Sequence, residues 1–495
     1  MRRRVTLLVA AIALAFLGAG CRKAPPPRAK HLVLITVDTL RTDRMGCYGG
    51  PNRCSPYLDD LAGRGVRFSN AYCQRGMTLP SMASWFTSKY VAEHGVVDNK
   101  RPVPDSERLL AERLAEAGFR TRAFNATPVL DVESGIAQGF DPGDYRMFPD
   151  EREMTRSASR YIQQRFGRDE QRDFVWVHFM NPHKPYSPPS PYDVTFLPDA
   201  RQVDTHPDRL DRIYVEQTAL TEDERTDIEA VYDGSVAFVN DQVAKIVKSL
   251  EKRGLLEDTL LVFSADHGED LYSHNNYYWH ANSIYRATTW IPFFAVQPGT
   301  IPDGRVEDGM IETLDFLPTM LTWLGIDGGA EDPSTRPRGN DLTDVLLGQA
   351  TPRRDAALSE LDVVNPLSEC GDEGAIWALR TKEWSFILNK AKLYPDNPPA
   401  EGFYPIGEQE LYDLRVDPDE QLDVIADHPD VADRMYRALA ARLSGLVLTT
   451  LDEEMSEEKR AELAELGYLT DSNEPRPVFV PVPGADNPDD PCEGR

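Results

Sequence analysis

Three apolar runs rich in branched side chains lie along the chain, and each ends in polar residues. They are 31–37 followed by Asp38, 173–179 followed by 180–183 (Met-Asn-Pro-His), and 259–264 followed by 265–268 (Ala-Asp-His-Gly). Continuous apolar runs of this length are typical of strands buried on both faces of a parallel sheet. Ligand sites of open α/β sheets lie beyond the carboxyl ends of the strands. The pattern therefore predicts a site formed by the polar residues that follow these runs.

Helical periodicity separates the predicted strands. Apolar residues recur every three to four positions in 107–117 and in 222–253, and Gly254 is placed to end the second helix. Strands that alternate with helices predict an α/β fold with a mostly parallel central sheet flanked by helices. Beyond about residue 350, short β-like runs in 375–388 and a helical pattern in 432–446 predict a smaller C-terminal α+β subdomain.

The N-terminal segment has the pattern of an export signal. Residues 2–4 are arginines, and 5–17 form an apolar run that is too short for a membrane-spanning helix. Small residues 18–20 precede Cys21, which resembles a bacterial lipobox, although Gly18 stands where leucine is usual. We expect an exported protein of the bacterial cell envelope, in the periplasm or on the outer surface, with a lipid anchor at Cys21. Simple secretion and an uncleaved anchor are the alternatives.

These features predict five segments. They are a signal peptide at 1–20, a Pro-rich tether at 21–30, a catalytic domain at 31–350, the C-terminal subdomain at 351–470 and a Pro-rich, acidic, disordered tail at 471–495. The chain of 495 residues is long enough for a large core. No internal repeat is present in it.

The net charge of −27 argues against nucleic acid as a partner and against electrostatic attraction to anionic lipid. An anionic substrate would therefore require a local cationic group or a metal ion. Cysteine spacing gives no CxxC pair, which disfavours a zinc–thiolate site. In an oxidising compartment we expect a disulfide between Cys47 and Cys54.

Asp38, Asp266 and His267 combine carboxylate and imidazole ligands. This set suits one divalent metal ion, with Zn²⁺ or Mn²⁺ favoured over Ca²⁺, which prefers oxygen ligands alone. A single aspartate after a strand is more often a turn former or a helix cap. Two strand ends that carry such ligands favour the metal site.

The order of short motifs along 31–445 resembles the sulfatase family of the alkaline-phosphatase superfamily. The motifs are 37–41 (Val-Asp-Thr-Leu-Arg), 47–49 (Cys-Tyr-Gly), 55–62 (Ser-Pro-Tyr-Leu-Asp-Asp-Leu-Ala), 65–68 (Gly-Val-Arg-Phe), 70–72 (Asn-Ala-Tyr), 78–84 (Thr-Leu-Pro-Ser-Met-Ala-Ser), 90–96 (Tyr-Val-Ala-Glu-His-Gly-Val), 182–186 (Pro-His-Lys-Pro-Tyr), 264–269 (Ser-Ala-Asp-His-Gly-Glu), 314–319 (Leu-Asp-Phe-Leu-Pro-Thr) and 410–421. The resemblance implies an extracytoplasmic enzyme that acts on small or polymeric sulfate or phosphate esters.

The resemblance also implies roles for individual residues. It places Asp38, Asp266 and His267 on the metal, and Thr78 at the position of the nucleophile, where it would also contact the metal. It matches His183 to a histidine that contacts the ester group. It places His280 where a cationic partner of the leaving group is usually found.

Three positions depart from the family pattern. Thr78 stands where most sulfatases have the cysteine or serine that becomes formylglycine, and threonine cannot form that aldehyde. Met82 replaces the arginine that would bind the anion, and Thr39 replaces a second aspartate. Arg41 and Lys184 are the remaining cationic candidates for the anion site.

These departures leave alternatives open. Thr78 is also suited to cap the helix that follows it. A threonine ester must be cleaved by water or passed to an acceptor, so a phosphoryl transferase of the phosphoethanolamine-transferase type is one alternative to a hydrolase. A non-catalytic protein that binds an anion or a partner is another. The sequence specifies neither the alcohol portion of the substrate nor the oligomeric state.

Overall fold

A computed structural model describes residues 27–51, 53–199, 201–215, 218–274, 278–281, 283–326, 335–362, 375–389, 409–446 and 455–465. The predicted signal peptide, Cys21, most of the tether and the predicted tail lie outside these residues. Among the helices that are described, none combines the length and the apolar character needed to cross a bilayer.

The described residues contain twelve strands, which form two sheets. In chain order they are β1 His31–Val37, β2 Val66–Tyr72, β3 Phe119–Asn125, β4 Tyr145–Met147, β5 Arg172–Phe179, β6 Thr259–Ala265, β7 Trp290–Val296, β8 Arg305–Glu312, β9 Ala357–Asp362, β10 Ala375–Arg380, β11 Trp384–Asn389 and β12 Gln409–Asp413. The large sheet has the order β4-β3-β5-β1-β6-β7-β2-β8, and the small sheet has the order β12-β11-β10-β9.

The helices pack around these sheets. In chain order they are α1 Pro56–Ala62, α2 Thr78–Thr87, α3 Val91–His94, α4 Leu110–Glu116, α5 Glu151–Gln164, α6 Pro207–Val215, α7 Glu222–Lys252, α8 Arg286–Thr289, α9 Phe316–Trp323, α10 Thr343–Leu346, α11 Pro429–Leu443 and α12 Glu457–Glu465. The predicted fold class is confirmed: a mostly parallel sheet carries helices, and a smaller antiparallel sheet follows it.

The three strands predicted from apolar runs are β1, β5 and β6, and they are neighbours in the sheet. β1 pairs in parallel with β5 on one side and with β6 on the other. Val37 is in register with Ala265, so the residues that follow these two strands emerge side by side at the carboxyl edge. Burial of every residue of β1 and β6 explains why both read as continuous apolar runs.

Helix α7 follows the sequence pattern closely. The Thr221 hydroxyl accepts from the backbone N–H of Glu224, and the Glu224 side chain bonds back to the Thr221 backbone, which completes a capping box at its start. Gly254 adopts φ +64° just beyond its end, a conformation that favours glycine. Helix α4 begins at Leu110 and is therefore shorter than the predicted 107–117. Glu107 lies outside the helix and forms an ion pair with Lys89.

Helix α11 packs against one face of the small sheet, through Leu358, Phe386, Leu411, Met435 and Leu439. Its other face contacts the loop before α8 through Ile376, Ile387 and Tyr285. Arg380, fully buried, donates to both carboxylate oxygens of Glu420 and to the carbonyl of Ile284. The ion pair lies within the C-terminal subdomain, and the hydrogen bond to Ile284 joins that subdomain to the large domain.

The predicted Cys47–Cys54 disulfide is wrong. Cys47, Cys54 and Cys73 are all free thiols within the described residues. The two thiols of the expected pair face different groups: Cys47 lies against Asp59, and Cys54 lies against Arg53 and Asp233. Burial raises the pKa of both thiols to about 12, so both are protonated and unreactive at neutral pH.

Candidate active site

Asp38, Asp266 and His267 form a compact, fully buried cluster at the carboxyl edge of β1 and β6. One ligand atom from each lies within 4.8 Å of the others. Nε2 of His267 is 3.7 Å from Oδ1 of Asp38 and 3.5 Å from Oδ2 of Asp266. The parallel register of the two strands brings these residues together across more than two hundred positions of sequence. The arrangement can hold a metal ion.

Backbone contacts fix the tautomer of His267. Its Nδ1 lies 2.9 Å from the carbonyl oxygen of Gly268, and because a carbonyl only accepts, Nδ1 carries the proton. The lone pair of Nε2 therefore points into the cluster, as a metal-bound histidine requires. A side chain at Gly268 would collide with the carbonyl of Ala287, which explains the glycine at this close approach.

Asp266 is held by two backbone amides. The N–H groups of His267 and Thr39 both donate to Oδ1, at 2.7 Å and 3.2 Å. Its other oxygen, Oδ2, has no hydrogen-bond partner among the described residues. Burial raises the pKa of Asp266, and the hydrogen bonds from the backbone N–H groups of His267 and Thr39 oppose that shift. A buried carboxylate oxygen of this kind needs a cation or a donor.

Asp38 is oriented by a residue that the sequence did not single out. The Thr127 hydroxyl donates to Oδ2 of Asp38 at 3.3 Å, and the Thr127 backbone N–H is bonded to Asn125 at the end of β3. Thr39, next in the chain, adopts φ +57°, a strained conformation for a β-branched residue. Its carbonyl accepts a 2.6 Å hydrogen bond from the hydroxyl of Tyr232.

Thr78 is the first residue of α2 and is fully buried. Met77, not Thr78, occupies the capping position. The Asn99 side chain accepts from the Leu79 backbone N–H in the first turn, so the helix-cap alternative for Thr78 is wrong. Instead, the Thr78 hydroxyl oxygen lies 3.3 Å from Nε2 of His267. Ser81, one turn further along α2, donates to the carbonyl of Asp266 at 2.7 Å. This bond holds α2 against the cluster of Asp38, Asp266 and His267.

His280 and His183 border the same cluster. The ring of His280 lies 4.4 Å from that of His267 and 5.2 Å from that of His183, centre to centre. Burial lowers the pKa of both His280 and His183 well below the usual value, and neighbouring positive groups lower it further. The structure thus brings together all six residues predicted for the site.

Glu269 is a second residue that sequence reasoning missed as part of the site. It is fully buried, and its Oε1 lies 3.4 Å from Nδ1 of His280. Burial raises the pKa of Glu269 to about 7, opposed by the positive charge of Lys184. The motif 264–269 contains this glutamate, but only the fold shows that it faces a histidine eleven positions later.

Neither cationic candidate for the anion site is directed at the cluster by its observed contacts. Arg41 is bonded to Asp43 and to the carbonyls of Glu269 and Asp270. Lys184 forms a 2.7 Å ion pair with Asp211 and lies 3.9 Å from the ring centre of Trp279.

Met82, at the position of the family's arginine, packs in the hydrophobic core. Met82 therefore cannot supply a charge to balance an anionic ester.

The molecule thus has the fold and the polar cluster of an ester hydrolase of the alkaline-phosphatase superfamily. The Sulfatase family model matches residues 30–326. The chain belongs to the sulfatase family, whose members hydrolyse sulfuric esters, and it is an enzyme of that class.

Characterised relatives are distant but span most of the chain. An ulvan-active sulfatase of Formosa agariphila is 25% identical over 393 residues, which cover 73% of this chain and 73% of that protein. An N-acetylglucosamine-6-O-sulfatase of Bacteroides thetaiotaomicron is 22% identical over 509 residues, which cover 84% of this chain and 86% of that protein.

Solved structures share the fold. The phosphonate monoester hydrolase of Agrobacterium radiobacter matches with a TM-score of 0.67 at 21% identity, over 88% of this chain and 99% of that one. A protein solved in complex with its substrate D-glucosamine-2-N,6-O-disulfate matches with a TM-score of 0.64 at 19% identity, over 85% of this chain and 98% of that one.

Proposed function

We propose that the protein is a metal-dependent hydrolase of sulfate or phosphate esters in which the Thr78 hydroxyl is the nucleophile. The observation that carries the proposal is the 3.3 Å contact between the Thr78 hydroxyl and Nε2 of His267, beside the two aspartates. The Thr78 hydroxyl is buried at the start of α2 and does not cap that helix, so no other role for it is evident.

The residues present fit a divalent metal ion. Oδ2 of Asp266 is buried without a hydrogen-bond partner in the described part of the chain, and Nε2 of His267 presents a lone pair to the same space. Two carboxylates and one imidazole favour Zn²⁺ or Mn²⁺ over Ca²⁺. A bound ion would lower the pKa of the Thr78 hydroxyl, so that its proton passes to water, and would offset negative charge on the ester oxygens.

The reaction then requires two displacements. The Thr78 oxygen forms a bond to the sulfur or phosphorus, and the bond from that atom to the alcohol oxygen breaks. Water cleaves the resulting threonine ester, releases sulfate, phosphate or (from a phosphodiester) a phosphate monoester, and restores the hydroxyl. The N-terminal end of α2, where Thr78 lies, favours negative charge on the transferred group.

His280 acts on the oxygen of the leaving alcohol, and His183 acts on an oxygen of the ester group. We assign proton donation to the leaving alcohol to His280, whose other ring nitrogen faces Glu269. The negative charge of a bound ester favours the protonated ring and counteracts the burial that lowers its pKa. His183, in ring contact with His280, is positioned to donate to an ester oxygen.

The test combines metal content with turnover. Metal bound to the purified protein is measured by mass spectrometry, and hydrolysis of an aryl sulfate and of a phosphodiester chromogen is measured for wild type, Thr78→Ser and Thr78→Val. We expect one bound divalent ion, turnover by wild type and by Thr78→Ser, and loss of at least about a thousandfold in Thr78→Val. Thr87→Val, on the same helix with its hydroxyl bonded to Ala83, is the matched control.

Cleavage of the aryl sulfate or of the phosphodiester chromogen identifies which class of ester the enzyme hydrolyses. Stable metal binding with turnover that survives in Thr78→Val would overturn the nucleophile. Absence of both metal and turnover would favour the non-catalytic binding alternative. Transfer of the group to added ethanolamine or glycerol, in place of water, would identify the transferase alternative.

A further inference from the structure

The loop between β6 and α8, residues 266–285, carries His280, and its backbone is strained before that histidine. Leu271 and Tyr272 both adopt the left-handed conformation, with φ +48° and +65°, which bulky residues rarely take. A segment of this kind persists only where neighbouring groups hold it firmly. The contacts that hold Leu271 and Tyr272 in place therefore bear on where His280 lies.

Asp270 joins the strained segment to the residues on both sides of His280. Its backbone N–H donates to the carbonyl of Trp279 at 3.0 Å, and its Oδ2 accepts from the hydroxyl of Ser283 at 3.2 Å. The Ser283 backbone N–H in turn donates to the His280 carbonyl at 2.9 Å. A displacement of Asp270 would therefore be passed to the backbone of His280.

His274 holds Asp270 in a buried ion pair. The His274 backbone N–H donates to Oδ1 of Asp270 at 2.7 Å, and Nδ1 of its ring lies 3.5 Å from Oδ2. The other ring nitrogen, Nε2, lies 3.3 Å from the carbonyl oxygen of Glu420. Both ring nitrogens thus face oxygens that only accept, an arrangement that fits the protonated imidazole.

The surroundings of His274 favour the same protonated form. Burial acts to lower the pKa of His274, but the charges of Asp270 and Glu420 raise it by more, so the net shift is upward. The ring of Tyr285 stacks on that of His274, with centres 4.0 Å apart and planes 7° from parallel. An aromatic face stabilises a cation that lies against it.

The C-terminal subdomain contacts this loop at two points through the motif 410–421, which the candidate site leaves unexplained. The Gln421 side-chain amide donates to the carbonyl of Ser273 at 3.1 Å. Oε2 of Glu420 accepts from the Arg286 backbone N–H at 2.6 Å, where the loop enters α8. The motif therefore holds the loop both before and after His280.

Arg41 holds the strained segment from the side of the large domain. Its Nη1 donates to the carbonyls of Glu269 and Asp270 at 3.1 Å and 2.7 Å, and to the Ser273 hydroxyl at 2.7 Å. The segment 269–274 is thus fixed between the large domain and the C-terminal subdomain. This role accounts for a buried arginine whose contacts are directed away from the metal-ligand cluster.

We propose that His274 is a positioning residue for His280. Its ion pair with Asp270, anchored on the carbonyl of Glu420, holds the loop so that His280 can give its proton to the leaving alcohol. His274 acts through Asp270 and not by contact with the ester. The inference rests on the proposed function, because it assigns a support to the proton donor of that reaction.

The test uses the leaving group. A phenol of low pKa leaves as its anion, whereas a phenol of high pKa needs the proton that His280 supplies. We measure kcat/KM for a series of aryl sulfates and aryl phosphodiesters, from 4-nitrophenyl to 4-methoxyphenyl. We expect His274→Gln to lose about tenfold or more with the 4-methoxyphenyl ester and less than about twofold with the 4-nitrophenyl ester.

Two further variants separate positioning from folding. Gln421 is exposed, so Gln421→Met should fold normally, and loss of its bond to Ser273 should reproduce the same leaving-group pattern at about threefold. His428→Gln is the matched control, because His428 lies in the same subdomain and its ring contacts Trp384. It should follow wild type along the whole series.

A double variant tests whether His274 acts through His280. In a His280→Asn background, His274→Gln should cost less than about a further twofold with the 4-methoxyphenyl ester, because the proton donor is already absent. Equal losses along the series in both His274→Gln and Gln421→Met, or a full additional loss in the double variant, would overturn the positioning role and leave the proposed function standing.

Turnover of no ester by wild type would remove the proposed function, and histidine-ring NMR would then decide the positioning role. The His280 signal is identified by its loss in His280→Asn. A shift of that signal in His274→Gln but not in His428→Gln would support the role of His274, and an unchanged signal would overturn it.

Discussion

The hydroxyl oxygen of Thr78 lies 3.3 Å from Nε2 of His267, although 189 positions separate the two residues in sequence. Two contacts produce this proximity. Ser81 bonds α2 to the carbonyl of Asp266, and the Gly268 carbonyl fixes the ring of His267. The candidate nucleophile and the candidate metal ligand are therefore held by rigid elements, a helix start and a strand end, and not by a loose loop.

Removal of the imidazole ligand should abolish metal binding. We expect His267→Asn to weaken metal affinity by about a hundredfold or more, because one of three protein ligands is lost. Competition with a chromophoric chelator measures the affinity. His206→Asn changes an exposed histidine and should bind metal as wild type does. Unchanged affinity in His267→Asn would show that the metal, if bound, lies elsewhere.

Thr127 should matter although it contacts no substrate. Thr127→Val removes the 3.3 Å hydrogen bond that orients Asp38, and we expect metal affinity to fall about tenfold. Thr127→Ser keeps the hydroxyl and should retain the affinity. The same chelator competition measures both variants. A loss in Thr127→Ser equal to that in Thr127→Val would contradict the role of the hydrogen bond, because serine keeps the hydroxyl.

His31 should make stability depend on pH. It is buried, and Nδ1 accepts from the backbone N–H of Asp173, so the folded state holds the ring neutral. Burial lowers the pKa of His31 from 6.5 to about 4, and the charge of Asp173 opposes the shift. The unfolded chain therefore binds this proton first. The contribution of the neutral His31 ring to the free energy of unfolding is fully present above about pH 6.5, and it is lost as the pH falls towards 4.

The measurement is urea unfolding of wild type and His31→Gln across this range. His31→Gln should lose about 3 kcal/mol less free energy of unfolding than wild type between pH 7 and pH 4. His206→Gln, at an exposed position, should follow the wild-type profile. Parallel profiles for wild type and His31→Gln would contradict the assignment.

The buried ion pair between Arg380 and Glu420 should stabilise the C-terminal subdomain and, through the bonds to Ile284 and Arg286, its contact with the large domain. Arg380→Met leaves the Glu420 carboxylate buried without its main partner, and we expect a loss of about 3 kcal/mol in denaturant unfolding. Arg415→Met breaks a partly exposed pair with Asp413 and should cost clearly less than Arg380→Met. Similar costs for the two variants would show that burial does not strengthen the Arg380 pair.

The sequence determined the elements whose signals are local. A strand buried on both faces must be apolar throughout, so β1, β5 and β6 could be recognised from composition alone, and the residues after β1 and β6 were identified with them. The capping box of Thr221 and Glu224 likewise lies within four residues. Asp38, Asp266 and His267 could be predicted as one cluster because parallel strands place their carboxyl ends together.

The contacts that join distant segments could be recognised from the folded structure alone. Thr127 reaches Asp38 from the end of β3, and Glu269 faces His280, because of how loops close over the sheet edge. Arg41 and Lys184 are bonded to protein groups, and Cys47 and Cys54 face different neighbours. No local pattern encodes these pairings, since each depends on packing between segments whose separation and direction are set by the whole fold.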